Sequence, residues 1–78
     1  MSILTISKSR LAVDVLFTDT KMTVLFEDGR EISIPLEWFP KLRDAKFEDL
    51  KKWRFIGDGE GIHWEALDED ILVEKLLE

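Results

Sequence analysis

Met22-Thr23-Val24-Leu25-Phe26-Glu27-Asp28-Gly29-Arg30-Glu31-Ile32-Ser33-Ile34-Pro35 is the stretch on which the fold turns. Met22, Val24 and Phe26 recur at every second position, as do Ile32 and Ile34, the signature of two half-buried strands around a tight turn. Two loop geometries compete. A two-residue Asp28-Gly29 turn would set Phe26 against Glu31 and Val24 against Ser33, mixing apolar with polar on each face. A three-residue loop, Glu27-Asp28-Gly29 with Gly29 left-handed in a bulge, sets Val24 against Ile32 and Met22 against Ile34. Only the second keeps one face apolar, so the three-residue loop is expected.

Upstream, Val13, Val15 and Phe17 alternate with Asp14 and Thr18, with Leu16 as the exception. The polar tetrad Thr18-Asp19-Thr20-Lys21 then returns the chain, placing Phe17 opposite Met22 and Val15 opposite Val24. The result is an antiparallel three-stranded meander with one apolar face to be covered.

Downstream, Pro35 ends the third strand and opens a helical turn through Leu36-Glu37-Trp38-Phe39, which Pro40 stops. Asp44 offers an N-cap for a helix through Lys52, placing Phe47 and Leu50, with Lys51 beside them, on its inward stripe. The run Lys51, Lys52, Arg54 reads as a solvated helix end whose lysines complement the dipole. Trp53-Arg54-Phe55-Ile56 and Ile62-His63-Trp64 form a second short hairpin around Gly57-Asp58-Gly59-Glu60-Gly61. Asp68 is placed to cap a C-terminal helical turn with Ile71, Leu72 and Leu76 at helical spacing; Ile71-Leu72-Val73 also fits an extended segment. The expected class is α+β, one domain over residues 1–78, without internal repeat or linker.

Seventy-eight residues, 45% of them hydrophobic and three of them tryptophan, suffice for one compact core. A chain this short buries only ~60 to 65% of its unfolded surface, so a partner or self-association would matter to it. The absence of cysteine removes disulfides, thiolate metal sites and thiol nucleophiles, and agrees with a reducing compartment, the cytosol by default. No stretch reads as a secretory leader or approaches the roughly 20 apolar residues of a membrane span. Seventeen acidic against eleven basic residues, a net charge of −6, repel phosphate backbones and anionic lipid surfaces. Neither nucleic acid nor membrane is therefore expected as a direct partner.

Candidate chemistry is sparse. The glycine-punctuated loop carries two acids where a phosphate cradle needs a helix N-terminus and a base, and it lacks the ligand spacing of an EF-hand. His63, the only histidine, lies on a strand and points away from Ile62 and Trp64. One histidine with scattered carboxylates supplies neither a nucleophile with its base nor a zinc ligand set, so no catalytic residue, metal or cofactor is expected. Glu65, Asp68, Glu69 and Asp70 read first as acids capping a helix start, and only second as a face for a basic partner. Trp53 and Trp64 belong in the core; Trp38, between two prolines, is the exposed anchor. The candidate contact residues are accordingly Trp38, Phe39, His63, Asp68, Glu69 and Asp70.

Phe26-Glu27-Asp28-Gly29-Arg30, the strand ending at Pro35-Leu36, Trp53-Arg54, and above all Gly61-Ile62-His63-Trp64-Glu65-Ala66-Leu67-Asp68-Glu69-Asp70-Ile71 occur in that order. In this the chain resembles the small bacterial family catalogued as domain of unknown function 2442, over about Val13 to Leu77. The resemblance implies a compact α+β fold and carries over no catalytic residues. It also implies kinship with small proteins that pair with another small protein, in the manner of an antitoxin, some of them extended by a helix-turn-helix domain. This chain has no such extension, which argues further against direct DNA binding. The favoured expectation is a non-catalytic domain that binds a small protein partner. The alternative is a ligand-sensing or regulatory module fused to, or docked on, a DNA-binding protein. An enzyme comes third, because only His63 and scattered acids are available.

Overall fold

A computed structural model describes residues 11–77. The first sheet comprises β1 (Ala12–Phe17), β2 (Lys21–Phe26) and β3 (Glu31–Pro35), in the order β1-β2-β3 and antiparallel throughout. Its register is the one demanded by the apolar pattern: Val15 faces Val24, Phe17 faces Met22, Val24 faces Ile32 and Met22 faces Ile34. The three-residue loop is present. The Phe26 N–H donates to the Arg30 carbonyl at 2.8 Å, and Gly29 takes a φ of +95°, which glycine adopts without the Cβ clash of other residues. Asp28 braces the turn by accepting from the Arg30 backbone N–H at 3.1 Å and from its Nε–H at 2.9 Å.

One residue departs from the alternation. Pairing shifts between Ala12, which faces Phe26, and Asp14, which faces Leu25, leaving Val13 as the extra residue of a bulge. The Val15 N–H donates to Asp14 Oδ1 at 2.8 Å, and the Ala12 N–H donates to the Gly59 carbonyl at 2.9 Å. Ala12 therefore turns inward and Val13 outward, 54% exposed, contrary to the strict alternation expected from Val13 to Phe17.

Between the sheets the chain makes three single turns. A 3₁₀ turn covers Leu36–Trp38, and α1 (Pro40–Arg43) follows at once. Pro40 was expected to stop the helical path; instead it opens α1, because a first helical position needs no N–H. Asp44 closes α1, its N–H donating to the Pro40 carbonyl at 3.0 Å, and does not cap the helix that follows. That helix, α2, is only Phe47–Leu50 and is entered from Lys46. One turn presents one inward position, so Leu50 is buried while Phe47 stays exposed, with Lys51 Nζ lying 5.3 Å from its ring centre.

The second sheet holds β4 (Trp53–Ile56), β5 (Gly61–Trp64) and β6 (Glu69–Leu72), in the order β4-β5-β6. The expected hairpin is there, and β6 adds a third strand where a helix capped by Asp68 was the first expectation. Asp68 instead closes the β5–β6 turn at a φ of +50°, a conformation that a short polar side chain tolerates. The extended reading holds for Ile71 and Leu72; Val73 then opens α3 (Val73–Leu76).

The apolar faces of the two sheets share one core. Met22, Val24, Ile34, Ile62, Trp64, Ile71 and Val73 are buried in a single cluster, with Leu36, Leu42 and Leu50 from the turns closing it. The Phe17 and Trp64 rings meet edge to face at 6.4 Å across the two sheets. The Trp64 indole N–H donates to the Leu50 carbonyl at 2.9 Å, so a helix-end acceptor and a buried donor satisfy each other.

Candidate interaction surface

Strand register decides which side chains share a face. In the second sheet Trp53, Trp64 and Glu69 lie in one row and Phe55, Ile62 and Ile71 in the next row on the same face. The intervening rows, Arg54-His63-Asp70 and Ile56-Gly61-Leu72, lie on the opposite face. His63 thus points away from Ile62 and Trp64, as expected. It bonds through Nδ1 to Asp70 Oδ1 of the neighbouring strand and is 19% exposed, a cross-strand pair on the surface.

The acids expected at a helix start are spread over other structure. Glu65 and Asp68 sit in the β5–β6 turn, where the Asp68 N–H donates to the Glu65 carbonyl at 3.3 Å. Glu69 and Asp70, adjacent on β6, point to opposite faces, leaving Glu69 half-buried beside Trp64 and Asp70 exposed. Extended backbone separates neighbours that a helical turn would have fanned out together at a dipole.

Trp38 is 68% exposed, and its backbone is fixed by the prolines on either side of the 3₁₀ turn and α1. Phe39, next to it, is half-buried against the core, with its N–H donating to the Leu36 carbonyl at 2.9 Å. Lys41 Nζ donates to the Asp68 carbonyl at 3.1 Å, which draws α1 and the β5–β6 turn to the same end of the molecule. A groove of about 360 Å³ is lined by Thr20, Lys21, Pro35, Leu36, Glu37 and Arg43. Arg43 donates to both carboxylate oxygens of Asp44, at 2.9 and 3.1 Å. These bonds hold the Asp44 carboxyl below its ordinary range and raise the Arg43 guanidinium, with Glu37 adding a weaker pull on the latter.

Five of the six candidate residues therefore fall into two sets: Trp38, Phe39 and Asp68 toward the end that Lys41 ties together, and His63 with Asp70 on the outer face of the second sheet; Glu69, half-buried in the Trp64 row on the opposite face, joins neither. Arg54 belongs with the second set: expected from the sequence at a basic helix end with Lys51 and Lys52, it lies instead on β4, opposite His63. Writing Trp53–Ile56 against Gly61–Trp64 in antiparallel register would have placed it opposite His63. Lys41 gave no signal, because its partner is a main-chain carbonyl 27 positions away. Among the described residues no three His, Asp or Glu side chains converge to hold a metal ion, and no helix is long and apolar enough to cross a membrane.

No curated protein and no solved structure is matched by the chain. The family described as "Protein of unknown function (DUF2442)" matches residues 12–78, the whole of both sheets and all the turns between them, and the chain belongs to it.

Proposed function

We propose that this chain is a non-catalytic protein-interaction domain of the bacterial cytoplasm, antitoxin-like, that binds a small protein with a basic surface. The observation that carries the reading is Trp38: an indole 68% exposed, on a turn held between two prolines, gives up little conformational freedom when a partner covers it. A net charge of −6 favours a basic partner and speeds its encounter, and the acids of the β5–β6 turn lie at the end to which Lys41 ties α1. The test is co-expression with the product of the adjacent gene, followed by calorimetric titration at low and high salt. A 1:1 complex that weakens with salt, and about tenfold or more on Trp38→Ala, supports the reading. Absence of binding at low salt, or a Trp38→Ala variant that binds like the parent, overturns it.

A second reading draws on the groove lined by Pro35, Leu36 and Glu37. As a ligand-sensing module docked on or fused to a DNA-binding protein, the chain would hold a small polar molecule between Lys21, Glu37 and Arg43. A metabolite that raises the unfolding midpoint by mass action, and fails to do so after Arg43→Ala, distinguishes it from the first.

A further inference from the structure

The outer face of the second sheet carries its charges and apolar groups in an arrangement that complements itself. Arg54 on β4 and Asp70 on β6 flank His63 of β5 in one row. Among the described residues Arg54 makes no ion pair, and it is exposed. In the adjacent row Ile56 and Leu72 flank Gly61, and both are exposed, Leu72 by half. Ile56 leans over the glycine, which is buried: a Cβ there would stand 3.1 Å from Ile56 Cδ1, so the strip from Ile56 to Leu72 is continuous.

We propose that two copies of this chain pair through this face, about a two-fold axis running along β5. Such an axis exchanges β4 with β6 and keeps each row in place. Arg54 then meets Asp70 of the second copy, and Asp70 meets Arg54, so the one combination gives two symmetry-related ion pairs. Ile56 packs on Leu72 of the second copy, twice. An axis across the strands would instead oppose unlike rows or, along a row, set Arg54 against Arg54 and Asp70 against Asp70. Asp70 keeps its bond to His63 through Oδ1, and its second oxygen serves the incoming guanidinium.

The size of the patch sets the strength. Three strands ~4.8 Å apart and four residues long give a face of roughly 10 by 13 Å, well below the ~800 Å² per partner of a standard stable interface. The dimer is therefore weak, and it forms where local concentration is high. It uses a different surface from Trp38, so it stands or falls separately from the heterologous interaction proposed above.

Sedimentation equilibrium of the full chain at low salt, up to about 1 mM, tests the pairing. The parent should dimerise with concentration, Arg54→Asp and Asp70→Arg should each weaken the dimer about tenfold or more, and the double exchange should restore it, because the axis again opposes unlike charges. On dilution of the ¹⁵N-labelled parent, amide shifts should change at Arg54, Ile56, His63, Asp70 and Leu72. A parent monomeric throughout, a double exchange no better than either single one, or dilution shifts centred on Val13 and Leu16 would overturn the proposal. So would a monomeric parent whose adjacent-gene partner is lost on Arg54→Asp, since the face would then belong to that partner.

Discussion

The two sheets of this molecule have the same number of strands and the same antiparallel order but keep their shape by different means. In the first, strands of five and six residues carry an apolar alternation long enough to set the register, and the Glu27-Asp28-Gly29 loop agrees with it. In the second, every strand has four residues, too few for alternation to exclude a slip. Its register is held from outside: Trp64 by the Leu50 carbonyl and the Phe17 ring, the β4–β5 turn by Ala12, and α3 by the bond from the Val73 N–H to the Glu60 carbonyl at 3.0 Å. Local pattern suffices where strands are long; short strands depend on long-range contacts.

The sharpest way to break this comparison is Trp64→Ala. Removing a fully buried indole that joins both sheets and α2 should cost about 3–5 kcal/mol, most of the stability of a chain this small, and leave it largely unfolded at 37 °C by circular dichroism. Two of the three turn glycines come next. Both have positive φ, but a Cβ at Gly59 would lie 2.2 Å from the Ala12 carbonyl oxygen, whereas one at Gly29 would meet nothing within 4 Å. Gly29→Ala should therefore cost only the conformational penalty, about 1–2 kcal/mol, and Gly59→Ala about 3 kcal/mol or more, as read by urea denaturation at equal slope. Equal losses would mean that the β4–β5 turn is not a joint between the sheets.

The smaller effects sharpen the contrast between core and surface. Asp70→Asn should cost less than about 1 kcal/mol, because Asp70 is mostly exposed and β6 is held by Ile71 in the core. For Asp44, the bond from Arg43 lowers the carboxyl below its ordinary 3.8, so its contribution is present above that value and lost as pH falls through the folded one. An Asp44→Asn variant should thus differ from the parent near neutrality, by a small amount in melting temperature, and converge with it in acid below pH ~3.8.

What could be read in advance follows the same division. The meander was legible down to its pairings, because Met22, Val24, Phe26, Ile32 and Ile34 admit one register and Gly29 supplies the loop that fits it. The Val13 bulge was not, since it depends on Asp14 taking the Val15 N–H and on Gly59 meeting Ala12, a contact 47 positions apart in a chain whose pattern continues smoothly through Val13. In the second sheet β4 and β5 were legible from their aromatics. β6 was masked by Asp68, Glu69 and Asp70, acids that favour a helix start by composition but are recruited into a strand by pairing with Gly61–Trp64. The exposure of Trp38 followed from its prolines. The split of Glu69 from Asp70 across two faces of β6, and the alignment of Arg54 with His63, needed the register.

The claim beneath all of this is that the sheets close on one another as a single cooperative core and leave function to the exterior. Native-state hydrogen exchange measures that directly, by comparing the Val24 amide at the centre of the first sheet with the Ile62 amide at the centre of the second. One opening free energy for both, equal to that of global unfolding and lowered equally in Gly59→Ala, is the expected result. Ile62 exchanging through a cheaper opening while Val24 stays protected would show that the second sheet unfolds alone, and would contradict it.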